Sequence, residues 1–420
     1  MKALISRSKI SGKTEAPSSK SYTLRGLMCA ALAKGQSQIV RPLDADDTVA
    51  AREVLGKIGV GIKNESGSWI VSGNNFRQPD SDLYCHDSAG TLRFMMALCA
   101  AVPGTCKLTA GPSLARRPLG PLADALRQLG IDCATGDGKA PVIIKGGKLQ
   151  GGKVELPGNI SSQFISALMF VAPLASDGMN IELTSQIESK PYILMTRDCM
   201  HAFGIEVGHN LDFSRLNIHH QAYKPAKYIV EGDWSSASYL LALGAIAGET
   251  EVTNLNPKSR QADSEIWILL NRMGAHMKAG HGAITMSQSK LHAFRADLSD
   301  CIDLLPTLAA LAAVAKGVSE FTGIIRARLK ESDRVAAMKE GMQRMGIKIK
   351  EEPDRLLITG GAPHGAVIDS KGDHRIAMAF SMLGVLAGDT VIEGAECVNK
   401  TFPAYWDILK SLGGDVTLDG

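Results

Sequence analysis

LLPTLAALAAVAKGVSEF, residues 304–321, is an apolar run that ends in glycine and continues as an alternating segment. As far as Ala315 nearly every position is Leu, Ala or Val, and a helix that is apolar all round belongs inside a domain. Gly317 suits the left-handed backbone that ends a helix, and Val318-Ser-Glu-Phe321 has the period of two of a strand. The order recurs at 376–393, IAMAFSMLGVLAGDTVIE, with its glycine at Gly388. Working outward, apolar helices are predicted over 24–33, 92–102, 164–175, 239–247, 304–315 and 376–387, followed by Gly35, Gly104, Gly178, Gly248, Gly317 and Gly388 at intervals of 69 to 74 residues.

A second register interleaves with the first. An amphipathic helix, exemplified by 333–345, ends in glycine at Gly59, Gly130, Gly204, Gly274, Gly346 and Gly413, at intervals of 67 to 74 residues. Repeats of this length are supersecondary units, here two helices with several short strands, so the class is α/β. Six units in 420 residues exceed a single hydrophobic core and imply three per domain, with a hinge near Tyr223 to Gly232, where Pro225 breaks the pattern.

Composition narrows the function. Hydrophobic residues make up 45% and charged residues 21%, and the net charge of +3 comes without a block of like charges, so no nucleic-acid partner is expected. Residues 1–14 lack the continuous apolar core of a signal peptide, and no apolar run approaches a bilayer span, so a cytoplasmic protein without a membrane partner is expected. The eight cysteines form no C-x-x-C pair and the histidines have no ligand spacing, which predicts free thiols and no metal site.

The apolar helices begin with unusually polar residues: Ser18-Ser-Lys20-Ser21, Ser88, Ser161-Ser162-Gln163, Asp233-Trp-Ser-Ser236, Asp303 and Asp373-His374-Arg375. N-capping accounts for Ser88, Asp233 and Asp373. It does not account for Lys20 or Arg375, because a cation at a helix N-terminus opposes the macrodipole by roughly 0.3 to 1 kcal/mol unless an anion lies beside it. Further cations precede the outer helices at Arg116-Arg117-Pro118, Arg326 to Arg334 and Lys400-Thr-Phe-Pro403. Equivalent places in stacked units bring such cations together, which suits a small substrate of several negative charges. Asp303, Glu331 and His374 add proton-transfer groups. No G-x-x-x-x-G-K-[ST] loop occurs, which excludes nucleotide-driven phosphoryl transfer of that kind.

These segments resemble the 5-enolpyruvylshikimate-3-phosphate synthase family of enolpyruvyl transferases over nearly the whole chain. The resemblance is carried by Pro17-Ser-Ser-Lys20-Ser21 with Arg25, Ala89-Gly90-Thr91 with Arg93, Arg117-Pro118, Ser161-Ser162-Gln163-Phe164 and Ser189-Lys-Pro-Tyr192. It continues through Gly232-Asp233, Asp303, Lys330-Glu331-Ser-Asp-Arg334, Asp373-His374-Arg375-Ile-Ala-Met378 and Lys400-Thr-Phe-Pro403. It implies an inside-out α/β barrel in each of two similar domains of three βαβαββ units, 14–230 and 1–13 plus 231–420, with the active site in the interdomain cleft. The implied reaction joins phosphoenolpyruvate to the 5-hydroxyl of shikimate 3-phosphate by addition and elimination, in a monomer without a cofactor.

By the same resemblance Lys20, Asp303 and Glu331 are the proton-transfer candidates. Shikimate 3-phosphate falls to Lys20, Ser21, Arg25, Ser161, Ser162, Gln163, Ser189, Tyr192, Asp303 and Lys330. Phosphoenolpyruvate falls to Lys20, Gly90, Arg117, Gln163, Arg334, His374, Arg375 and Lys400. Gly90 stands where bulk would crowd phosphoenolpyruvate, so competition by glyphosate is expected. Ser88 and Arg326 depart from the asparagines the family often has there. The nearest alternative, a UDP-N-acetylglucosamine enolpyruvyl transferase, typically carries a reactive cysteine in the loop that is 111–118 here, and this loop has none.

Overall fold

In a computed structural model that describes residues 1–280 and 282–420, the six outer-helix glycines, Gly59, Gly130, Gly204, Gly274, Gly346 and Gly413, have φ between 78° and 99°. A side chain is strained in that region, so the periodic glycines mark backbone that needs them. The chain divides into two compact units, one of Ser18–Glu231 and the other of Met1–Pro17 with Gly232–Gly420.

The described strands form six four-stranded sheets of one pattern. Residues 152–218 show it in full: strand Gly152–Leu156, helix Ser162–Val171, strand Met179–Leu183, helix Lys190–Ala202, then strands Gly208–His209 and Arg215–Ile218. The first two strands pair in parallel, and the second is antiparallel to Arg215–Ile218, which is antiparallel to Gly208–His209. The remaining sheets keep this order, so the architecture is α/β built on βαβαββ units. The chain's first strands lie in sheets of the 232–420 half. Lys2–Ile5 is antiparallel to both Thr390–Glu393 and Val416–Asp419, while Ile10–Glu15 runs parallel to Gly248–Thr253. Conversely, Lys227–Ile229 is parallel to Gly35–Val40.

The apolar helices are Lys20–Leu32, Ala89–Leu98 and Ser162–Val171 in one unit, and Trp234–Ala247, Leu305–Val314 and His374–Ala387 in the other. Most begin earlier than hydrophobic periodicity predicts, because their caps lie upstream of the apolar run. Ser19 accepts from the Tyr22 N–H, Ser161 from Gln163, Asp233 from Ser236 and Asp373 from Arg375. Lys20, Ser162, Gln163, His374 and Arg375 therefore stand in first helical turns and not in flanking loops. Ser88 is a correction to the capping expectation: its hydroxyl makes no cap bond and instead meets the Asp47 carbonyl at 3.1 Å and Thr91 at 2.8 Å.

Helix Arg334–Arg344 buries Val335, Met338 and Met342 and lies so close to helix His374–Ala387 that a Cβ on Gly341 would fall 2.1 Å from Cζ of Phe380. This approach brings Arg334 to the start of the inner helix. Among the described residues, no helix is long and apolar enough to cross a membrane.

Candidate active site

In the Ser18–Glu231 unit, Lys20 occupies the first turn of its helix, and its Nζ lies 3.2 Å from Oδ2 of Asp47. The carboxylate supplies the anion that a cation at a helix N-terminus requires. Asp47 is itself buried, and its carbonyl accepts from Ser88 and Thr91, so it ties the lysine to the start of helix Ala89–Leu98.

Arg25 follows on the same helix and is 3% exposed. Its Nε donates to Thr196 at 2.9 Å, Nη1 to the Ser21 carbonyl at 3.0 Å and Nη2 to the Tyr192 carbonyl at 3.3 Å. The guanidinium thus joins the starts of helices Lys20–Leu32 and Lys190–Ala202 while keeping donors on Nη1 and Nη2 for an anion. Burial lowers its pKa from the ordinary guanidinium value. Ser189, next to this junction, holds a left-handed backbone at φ 58° and does not cap with its side chain.

Gln163 accepts from Nη1 of Arg93 at 2.7 Å, and the same nitrogen reaches Ser161 at 3.4 Å. Ser162, in the same first turn, is buried. Gly90 lies beside this pair, but a Cβ there would first meet Leu24 Cδ1 at 2.9 Å and Gln163 Nε2 only at 3.9 Å. Within the protein itself, a side chain at Gly90 therefore requires the Leu24 methyl to shift. Arg117, 6% exposed, lies 3.5 Å from the Ser113 hydroxyl, in a loop anchored by Leu114 N–H to Asp87.

In the other unit the side chains converge on Arg334, which is 1% exposed. Its Nη1 donates to Asp303 at 2.7 Å, Nη2 to Glu331 at 2.7 Å and Nε to Asp373 at 2.8 Å. Asp303 also receives Lys330 at 3.1 Å and Arg375 at 3.5 Å, and Lys400 approaches Glu331 to 4.0 Å. His374 is buried with Nδ1 at 3.6 Å from Asp373. Asp303, Lys330, Glu331, Arg334, His374, Arg375 and Lys400 thus form one connected group. Arg326, by contrast, donates to the Ser299 carbonyl, a local loop contact.

The charges set one another's protonation. Burial alone would raise Asp303, but Lys330, Arg375 and Arg334 outweigh it and hold the carboxyl well below the usual carboxylate range. Burial lowers Lys330, against the pull of Asp303. Burial also works against Arg334, but Asp373, Glu331 and Asp303 raise it overall. An ionised carboxylate surrounded by lysine and arginine can accept a proton from a hydroxyl, and the cations can stabilise phosphate or carboxylate oxygens.

Sequence reasoning missed several supporting groups. Asp47 reads as an acidic first turn in Asp44-Ala-Asp46-Asp47, and Thr196 as an ordinary amphipathic position. Asp373 was legible as a cap, not as a partner of Arg334. A signal existed for the Arg93 contact, since an arginine stands in an otherwise apolar helix.

Repeated βαβαββ units with cations and carboxylates gathered at the starts of buried helices define the enolpyruvyl transferase class. The enolpyruvyl transferase NikO from Streptomyces tendae shares the fold, with a TM-score of 0.79 at 15% identity over 99% of this chain and 98% of that one. The chain belongs to the EPSP synthase (3-phosphoshikimate 1-carboxyvinyltransferase) family, whose profile matches residues 5–409. It is 50% identical to a 3-phosphoshikimate 1-carboxyvinyltransferase of Dehalococcoides mccartyi over the full length of both. EPSP synthase from Acinetobacter baumannii superposes with a TM-score of 0.83 at 26% identity, covering 99% of this chain and 100% of that one.

Proposed function

We infer that the chain transfers the enolpyruvyl group of phosphoenolpyruvate to the 5-hydroxyl of shikimate 3-phosphate, releasing phosphate, as a 3-phosphoshikimate 1-carboxyvinyltransferase of aromatic amino acid biosynthesis. The observation that carries this reading is the Arg334 group, in which an ionised Asp303 is held at 2.7 to 3.5 Å by Arg334, Lys330 and Arg375.

The acceptor oxygen bonds to C2 of phosphoenolpyruvate as its proton leaves, and a proton adds to the C3 methylene, giving a tetrahedral intermediate. Loss of a C3 proton and cleavage of the C2–O bond then release phosphate and restore the double bond. Asp303, which the surrounding cations keep ionised, takes the hydroxyl proton, against the lowered basicity those cations impose. Glu331 and Lys20 are the groups for delivery to and removal from C3. Arg117, Arg334, Arg375, Lys400 and His374, with Gln163 and Gly90, hold phosphoenolpyruvate. Ser21, Arg25, Ser161, Ser162, Gln163, Ser189, Tyr192 and Lys330, with Lys20 and Asp303, hold shikimate 3-phosphate. Action as a monomer belongs to the same reading.

The test is phosphate release from phosphoenolpyruvate with shikimate 3-phosphate, with UDP-N-acetylglucosamine in parallel, and the product mass recorded. A mass gain of one enolpyruvyl group on the shikimate acceptor is expected. Release with the nucleotide sugar alone would assign the other acceptor, and release with neither would remove the reading.

A further inference from the structure

Residues 110–118, AGPSLARRP, place Arg117 just before helix Gly120–Gln128, and the backbone of this loop hangs from the residues that precede helix Ala89–Leu98. The Gly111 N–H donates to the His86 carbonyl at 2.6 Å and the Leu114 N–H to Oδ1 of Asp87 at 2.8 Å. Within the loop, the Ala115 N–H returns to the Gly111 carbonyl at 2.8 Å and the Arg117 N–H to the Leu114 carbonyl at 3.0 Å. The Leu114 side chain is fully buried, so one residue of the loop is pinned both by the core and by the Asp87 carboxylate.

Asp87 approaches this loop more closely than any residue but glycine allows. A Cβ on Gly111 would fall 2.7 Å from Oδ2 of Asp87, 2.8 Å from Cγ and 2.9 Å from Oδ1, all tighter than real Cβ contacts. Gly111 lies outside the left-handed region, so space and not backbone conformation excludes a side chain there. The carboxylate cannot swing aside freely, because the side chain is short and turning it away breaks the bond to the Leu114 N–H. A hydrogen bond and a steric stop thus act on the same loop from one side chain.

We propose that Asp87 is a positioning residue of the transfer reaction, a strut between the start of helix Ala89–Leu98 and the 111–117 loop that holds Arg117 where it meets phosphoenolpyruvate. The proposal rests on the role given to Arg117 above. Arg117 is 6% exposed and its Nη2 lies 3.5 Å from the Ser113 hydroxyl in the same loop, so a shift of residues 111–114 carries the guanidinium with it. A cation that holds phosphoenolpyruvate in the ground state and the transition state alike shows its loss in KM more than in kcat. The residues assigned to shikimate 3-phosphate lie on other elements, so that substrate is unaffected.

Asp87→Ala should raise KM for phosphoenolpyruvate roughly three- to tenfold, with kcat and KM for shikimate 3-phosphate within about twofold of wild type. Asp87→Asn keeps an oxygen to accept from Leu114 and should restore most of the affinity. Gly111→Ala, which drives a Cβ into the carboxylate, should raise the same KM. Combined with Asp87→Ala it should add nothing further, because the atoms it strikes are gone. Independent, multiplying effects, an asparagine as poor as alanine, or a lower Tm with KM unchanged would each overturn the strut. In the ligand-free protein, amide hydrogen exchange of 111–117 should quicken in Asp87→Ala and not in Asp87→Asn, a readout that needs no substrate, and equal protection in both would also overturn it. A wild type inactive with shikimate 3-phosphate would remove the functional reading and the positioning role with it, whereas an active wild type with unchanged KM in the variants would remove the positioning role alone.

Discussion

The ammonium of Lys20 and the buried carboxylate of Asp47 lie 3.2 Å apart, joining the first turns of two successive helices of one unit. Lys20→Met removes this charge-assisted contact, worth roughly 1.5 to 3 kcal/mol, together with a proton-transfer group. Turnover should fall by at least about tenfold, the equivalent of ~1.4 kcal/mol. Steady-state assay of a variant shown to be folded by circular dichroism checks this, and near-normal turnover would contradict the role given to Lys20.

Arg334 is the most demanding position of the other unit, because its guanidinium meets Asp303, Glu331 and Asp373 at once. Arg334→Ala strands carboxylates that are themselves largely buried, and breaking a buried pair costs about 3 to 5 kcal/mol. Arg334→Lys keeps the charge but lacks the planar fork and cannot reach all of its partners. Both variants should unfold at lower urea concentration than wild type, alanine more than lysine, and both should lose activity under native conditions.

The acid limb of stability belongs in part to Asp303. Its native pKa is depressed by Lys330, Arg375 and Arg334 against burial, so its stabilising contribution is complete above the unfolded value of about 3.9 and is lost as pH falls through the native one. Urea unfolding of wild type and Asp303→Asn should give a free-energy difference that is constant from pH 7 to pH 5 and shrinks below about pH 4. A difference that shrinks above pH 5 would show that Asp303 takes up its proton earlier.

Gly90→Ala tests what the missing side chain is for. The new Cβ would fall 2.9 Å from Leu24 Cδ1, and overpacking of this kind costs about 1 to 3 kcal/mol, offset by up to about 1 kcal/mol of helix propensity. Shortening Leu24 to Ala in the same protein should recover part of the loss in Tm. Any rise in KM for phosphoenolpyruvate should follow the same recovery, since helix displacement transmits it.

The periodic glycines, the apolar helices and the strand-like segments after them were legible in the sequence, because each depends on neighbours only a few residues away. A glycine at φ 79° or 94°, as at Gly346 and Gly413, answers a local need of the backbone. The cations at helix starts were legible for the same reason: Lys20 and Arg375 stand where a helix by itself disfavours them. Partnership was not legible. Arg334 finds Asp303 across 31 positions and Asp373 across 39, and Arg25 finds Thr196 across 171. Those distances close only when one helix lies against another, as Gly341 permits beneath Phe380. The same packing sets Asp303 among cations. Residue type and spacing determined which charges this protein carries to the starts of its helices, and tertiary packing alone decided which charge faces which, because that depends on burial and on contacts between segments far apart in the chain.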